Sequence, residues 1–278
     1  MNAQRVAMTT EDVGRFFDEK GDVLSELLGG NIHFGYWLGP DDPSTFAQAA
    51  ERLTDHMIET LAPKPGERIL DLGCGRGRPA VRLARAADVE IIGISVSRRD
   101  IQVSTELARA EGLQHRVSFT HADAMDLPFP PASFDAVWAL ESLLHMPDRL
   151  RVLKNIATVL RPGGRLVLCD VSGTTPTTTE AQEALQEVLR DWAVESLITP
   201  DEYATLIAEA GLELKQITDV GERTRYSPAK VVDMMRKMIE AQGIAVDSVD
   251  LPMDVWEKSF TAFEHMGYLL LTARRPIS

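Results

Sequence analysis

The chain has 278 residues, 44% of them apolar and 26% charged, the proportions of an ordinary globular protein with room for a large core. Its 29 basic and 42 acidic residues leave a formal charge of −13, which argues against nucleic acid or an anionic membrane as the main partner. Two cysteines, Cys74 and Cys169, make no disulfide framework and fit a reducing, cytoplasmic setting. Residues 1–10 carry no apolar signal-peptide segment, and no run of about 18 apolar residues marks a membrane span.

Capping-type residues Thr9 to Asp12 start an N-terminal helix whose apolar stripe runs through Val13, Phe16, Phe17, Leu24, Leu27 and Leu28. Gly29-Gly30 breaks it and leads into Asn31-Ile32-His33-Phe34-Gly35-Tyr36-Trp37, an aromatic loop of the kind that lines ligand cavities or plugs a core. A helix follows from about Ser44 to Leu61, with Leu53, Met57, Ile58 and Leu61 at helical spacing. The central stretch is Arg68 to Ala80. An apolar strand, Ile69 to Leu72, contains Asp71; Gly73, Gly75 and Gly77 follow at every second position, and Ala80, Val81, Leu83 and Ala84 open a helix. Strand, glycine turn and helix together make a nucleotide site, because glycine lets backbone approach a ligand and the helix start offers free N–H groups.

Strands and helices then alternate. Strands are read at Ile91–Ser95, Val117–Phe119, Phe134–Ala139 and Arg165–Asp170, the last after a turn at Arg161-Pro162-Gly163-Gly164. Helices are read at Arg99–Glu111 and Arg149–Leu160. This rhythm implies a doubly wound parallel sheet with ligands beyond the carboxyl ends of its strands. Ser172 to Thr179 reads as a loop, Glu180–Ser196, Pro200–Ala210, Pro228–Gln242 and Val255–Met266 as helices, and Leu212–Val220 and Gly267–Arg274 as the last strands. The division expected is a helical cap segment, residues 1–62, and a Rossmann-like domain, residues 63–278, with cap insertions at about 173–210 and 226–262.

Asp71-Leu72-Gly73-Cys74-Gly75-Arg76-Gly77 resembles the first motif of class I S-adenosylmethionine-dependent methyltransferases. Asp123 to Phe129 with Ser133-Phe134-Asp135 resembles their adenine-side motif, and Leu160 to Gly164 the turn before their fifth strand. Asn31 to Trp37, Gly93-Ile94-Ser95, Ala139-Leu140-Glu141-Ser142 and His145 to Arg149 are similar to an actinobacterial natural-product branch. That branch includes a rebeccamycin sugar O-methyltransferase and spinosyn-pathway methyltransferase-like proteins. The resemblance implies a Rossmann-like, mostly parallel seven-stranded sheet with an antiparallel last strand and a helical cap.

It also implies S-adenosylmethionine as cofactor, S-adenosylhomocysteine as product and a small-molecule acceptor, with the protein a monomer or homodimer. Gly73 and Gly75 would pack against the cofactor's tail, Asp71 would hold the turn or the tail's amino group, Ser95 and Asp100 would hold the ribose, Asp123 and Ala124 the adenine, and Leu140 would be a further cofactor contact. His145 is the expected base, assisted by Asp170, although Leu144 stands where the sugar O-methyltransferase has a first histidine. Trp37, Ser142, Thr199 and Trp256 are candidate substrate contacts, Met234, Met235 and Met238 candidate cavity residues, and the six histidines show no metal-ligand spacing. Transfer to oxygen of a glycoside or polyketide-type metabolite leads. Transfer to nitrogen or carbon, and a cyclisation that keeps the cofactor structurally, stand as alternatives.

Overall fold

Among the described residues, seven strands form, with helices between them as the alternation requires. The structure, a computed structural model, describes residues 8–173, 178–194, 196–231, 233–234 and 266–277. The strands are β1 Arg68–Leu72, β2 Glu90–Ser95, β3 Val117–His121, β4 Phe134–Leu140, β5 Leu160–Gly173, β6 Glu213–Asp219 and β7 Met266–Arg274. The helices are α1 Thr10–Leu27, α2 Phe46–Leu61, α3 Arg78–Ala86, α4 Arg98–Ala110, α5 Arg149–Val159, α6 Thr179–Asp191, α7 Pro200–Glu209 and the short α8 Gly221–Thr224. The sheet order is β3-β2-β1-β4-β5-β7-β6, with β7 antiparallel to both of its neighbours.

Alternating side chains divide the core between two faces. Ile69, Trp138, Cys169 and Val171 join residues of α2, α3 and α6 on one side. Leu70, Val137, Ala139 and Leu168 join those of α5 and α7 on the other. Both faces are covered, so the inner strands read as continuous apolar runs instead of alternating ones. Asp71 interrupts such a run, opposite Trp138 in the β1–β4 register.

Boundaries differ from the sequence reading chiefly at β5. The Arg161–Gly164 turn is taken up inside the strand: Leu160 pairs with Phe134 before a register shift, and Gly163 and Gly164 bond to Arg275. At its far end β5 runs through Ser172, because β7 supplies pairing as far as Gly173. Of the expected helix at 228–242 only residues up to 234 are described, and the one at 255–266 lies outside the described residues except for Met266, which opens β7.

Gly66 and Gly77 share a left-handed backbone, φ +80° and +78°, but differ in space. A Cβ on Gly66 meets nothing within 4 Å, whereas one on Gly77 would lie 2.7 Å from both Phe119 and Ser104. Gly66→Ala should therefore cost about 1–2 kcal/mol of backbone strain. Gly77→Ala should cost about 1–3 kcal/mol more through overpacking. Urea unfolding of the two variants measures the difference.

Candidate active site

β1 ends in a turn that presses on β4. Gly73 (φ +76°) lies where any Cβ would overlap the Ser142 side chain, and its N–H and that of Cys74 both donate to Ile94 O, at 3.0 and 2.9 Å. The Gly75 position faces open space. A polar cavity follows at the carboxyl ends of β1, β2 and β4, walled by Asp71, Gly73, Gly75, Ser95, Asp100 and Leu140 among others. Asp71 is buried and leans toward the Trp138 indole without a hydrogen bond of ordinary geometry, leaving Oδ2 unpartnered. Burial pushes its carboxyl up to about 7. Asp100, also buried, is raised to about 6 by burial against the pull of Arg76, whose Nε lies 3.3 Å away. Two buried acids, a glycine cradle and open space at Gly75 fit the ribose, ammonium and sulfonium parts of S-adenosylmethionine.

Helix α1 roofs this cavity. Val13 and Phe17 line it, and Gly14 lets the helix pack onto the Val96 carbonyl, only 2.7 Å from where a Cβ would be. On the polar side Asp18 accepts from Ser97 Oγ (2.6 Å) and the Arg99 N–H (3.0 Å), and Asp22 pairs with Arg76 and Arg99.

A second, largely apolar cavity adjoins the first. Phe17, Ile32, His33, Glu141 and His145 belong to the walls of both. Leu144, Leu189, Trp192 and Val231 are among those that close the apolar side. His145 Nδ1 lies 3.0 Å from Ala193 O, so that nitrogen carries the proton and Nε2 is left as an acceptor, with no partner among the described residues. Burial holds the imidazole's pKa down at about 4, and Phe17 packs edge-on against its ring. Glu141 sits at φ +45°, a left-handed conformation costly for a side chain of this type. Its Oε1 accepts from the Phe34 N–H (2.6 Å) and the Tyr268 hydroxyl, and burial raises the carboxyl to about 8. His33, depressed to about 4 by burial, is held by Phe34 O at 2.9 Å.

The structure brings together His145, Asp71, Gly73, Gly75, Ser95, Asp100, Leu140 and Ser142. Ser142 is on the polar side, its Oγ donating to Leu72 O, rather than in the apolar cavity. Asp170 departs from expectation. It is fully buried, takes the Tyr203 hydroxyl (2.7 Å) and the Val171 N–H, and walls neither cavity, so Ala193 O orients the imidazole instead. Trp37 is core: it is wholly buried, donates to Ser227 Oγ and packs on Phe46. Thr199 is the N-cap of α7, in a capping box with Glu202, and lines a separate groove beside α6. Asp123 caps a short turn through Met125 N–H (2.8 Å), and it and Ala124 follow β3 just beyond the cavity wall, where Ala122 bonds to Ser95 O. Met234 packs under the aromatic loop, while Met235, Met238 and Trp256 lie outside the described residues. Glu141 and His33 were not singled out from sequence; an acid closing a buried strand and a histidine inside a glycine-aromatic loop were the available signals.

Residues 63–211 match the model of a methyltransferase domain family. The chain is 40% identical to the 27-O-demethylrifamycin SV methyltransferase of Amycolatopsis mediterranei (strain S699), over 96% of this chain and 98% of that protein. It is 37% identical to the methyltransferase GfsG of Streptomyces halstedii, over 96% and 95%. Among solved structures, the [4+2]-cyclase SpnF superposes with a TM-score of 0.81 at 32% identity, covering 98% of each chain.

The bonds from α1 to Ser97, Arg76 and Arg99 hold the roof onto the cavity. Asp18→Asn removes the charge that Ser97 and the Arg99 N–H stabilise. Amide exchange in α1 should speed up roughly fivefold, in line with about 1 kcal/mol of local stability, while β1 and β4 keep their protection. Hydrogen-exchange mass spectrometry reads both.

Proposed function

The chain belongs to the methyltransferase-domain family, and we propose that it transfers the methyl group of S-adenosylmethionine to a hydroxyl oxygen of a small-molecule secondary metabolite, of polyketide or glycoside type. The observation that carries this is His145: a neutral imidazole with Nδ1–H tied to Ala193 O, standing in the wall shared by the polar and the apolar cavity. The relative named 27-O-demethylrifamycin SV methyltransferase is named for a compound lacking a methyl on oxygen, which supports the same atom here.

Asp71, the glycine turn, Ser95 and Asp100 hold the cofactor, with Asp123 and Ala124 toward its adenine. Bound there, S-adenosylmethionine supplies an electrophilic methyl on a sulfonium sulfur. The acceptor enters the apolar cavity, whose walls exclude water, and its hydroxyl meets His145 Nε2. That nitrogen takes the hydroxyl proton as the oxygen attacks, so His145 acts as general base and most of the rest is positioning. Glu141, protonated, places no anion beside the sulfonium and can donate to an oxygen of the acceptor.

The pH dependence follows from the two shifts. His145 is an active base above about 4, and Glu141 keeps its proton below about 8, so kcat/KM for the acceptor, measured with the cofactor saturating so that Asp71 and Asp100 are already engaged, should hold a plateau between them and fall on either side. Glu141→Gln, a permanently neutral carboxamide, should abolish the alkaline fall. His145→Ala should cost roughly 10²-fold or more in turnover; unchanged turnover would exclude it as the base.

Cyclisation is the second reading, favoured by the likeness to a [4+2]-cyclase and by Leu144 on the apolar wall. Methyl-labelled S-adenosylmethionine incubated with demethylated polyketides and glycosides decides. Label in a product, with its mass and fragmentation placing the methyl on oxygen, nitrogen or carbon, establishes transfer. An isomerised acceptor without label establishes cyclisation.

A further inference from the structure

His145 is held by two separate pieces of chain, and one side chain ties those pieces together. Its own turn, Leu143–His145, follows β4, and the segment after α6 supplies Ala193 O, 3.0 Å from Nδ1. Arg149, the first residue of α5, bonds to both. Toward the turn, its Nε donates to Leu143 O (3.1 Å) and its Nη2 to Leu144 O (3.0 Å). Toward the segment, Nη2 also donates to Ser196 O, and Nη1 lies 3.4 Å from Ser196 Oγ. A planar guanidinium with five N–H donors can hold several carbonyls at fixed angles in this way.

The segment takes a strained path to reach the ring. Ala193 has φ +53°, the left-handed conformation that glycine usually supplies just past a helix, and its N–H and that of Val194 close the end of α6 on Arg190 O and Leu189 O. With that turn made, Ala193 O meets the imidazole and Val194 walls the apolar cavity. Asp170 backs the arrangement from β5. Burial raises its carboxyl to about 7, against the Tyr203 hydroxyl, the Arg149 charge and the Leu144 N–H, which favour the anion. The arrangement bears on chemistry because a neutral imidazole has two tautomers. Only the one with its proton on Nδ1 leaves Nε2 able to accept a proton, and Ala193 O selects it.

We propose that Arg149 is the positioning residue of the general base: by bracing the turn that carries His145 against the segment that takes its Nδ1–H, it fixes the tautomer and direction of the ring. The proposal rests on the reading of His145 as base given above. The titratable and charged groups around the ring are Glu141 on its own turn, Arg149 on α5, Asp170 on β5, His33 on the aromatic loop and, across the polar cavity, Asp71 and Asp100. Burial does most to hold the imidazole near about 4, and the Arg149 charge lowers it further against the pull of Ala193 O.

Ring-nitrogen NMR of the unliganded protein, with the His145 signals assigned by their loss in His145→Ala, reads the brace directly. The unaltered protein should show the Nδ1–H tautomer, titrating near about 4. Arg149→Met should show both tautomers, with the titration moved to higher pH because a positive charge is gone. Arg149→Lys keeps the charge without the fork, so its titration should stay near that of the unaltered protein while the tautomers still mix. In turnover, Arg149→Met should lower kcat roughly 10- to 100-fold and leave KM for S-adenosylmethionine within about twofold, and Arg149→Lys should recover part of the loss. An unmixed Nδ1–H tautomer in either variant overturns the proposal, as does a fall in kcat matched by an equal rise in that KM. Should Arg149→Met fail to fold, the tautomers of Arg149→Lys decide. If His145→Ala kept full turnover, the base reading would fall instead, and the NMR of the Arg149 variants would still show whether this arginine holds the ring.

Discussion

The site depends on one close approach: the turn after β1 against the start of the segment after β4. Gly73 can touch Ser142 only because it has no Cβ, and Ser142 fixes the contact by donating to Leu72 O at 2.7 Å. Ile94 O, at the end of β2, accepts from both Gly73 and Cys74 and ties the same turn to the third strand involved. Three strand ends are thereby locked around one point. Ser95 and Asp100 follow β2, Glu141 and His145 follow β4, and Asp71 precedes the turn. Loosening the contact would shift every one of these groups relative to the others, and a misplacement of about 1 Å is enough to cost large factors in rate.

Burial then sets the chemistry at that point. Asp71, Glu141 and His145 are all removed from water, and each is driven toward its neutral form: the carboxyls upward, the imidazole downward. On the function proposed above, a cavity that receives a sulfonium and an uncharged acceptor gains from this. Neutral Glu141 leaves no fixed anion to hold the positive charge in place, and neutral His145 has a lone pair to accept a proton. The strained φ of Glu141 is consistent with a side chain whose direction matters more than its local comfort.

What could be read from sequence was what is local. The glycine spacing, the acid inside β1 and the strand–helix alternation all lie within short windows that local pattern reports directly, while the histidine after β4 stands out through the family resemblance. The losses came from contacts across the chain. Glu141 is defined by Phe34, 107 residues earlier, and by Tyr268, 127 later. Trp37 looked like a ligand contact because it sits in an aromatic loop, yet Ser227, 190 residues on, takes its indole N–H and seals it in the core. Asp170 ends a strand in the expected position, but a tyrosine 33 residues away claims its carboxylate. Thr199 is the exception, since Thr-Pro-Asp-Glu is a capping box in plain view.

Helix α1 links the two halves of the site in a way neither half shows alone. Its acidic side is bound to Ser97, Arg76 and Arg99 around the cofactor's cavity, while Phe17 on its apolar side packs on the imidazole of His145. The helix that walls the polar cavity through Val13 and Phe17 is thus the same one that packs on the imidazole. Because the helix is stiff over its 18 residues, lifting one side moves the other. On the function proposed above, the seat of the helix over the cofactor and the seat of the ring beside the acceptor are therefore coupled.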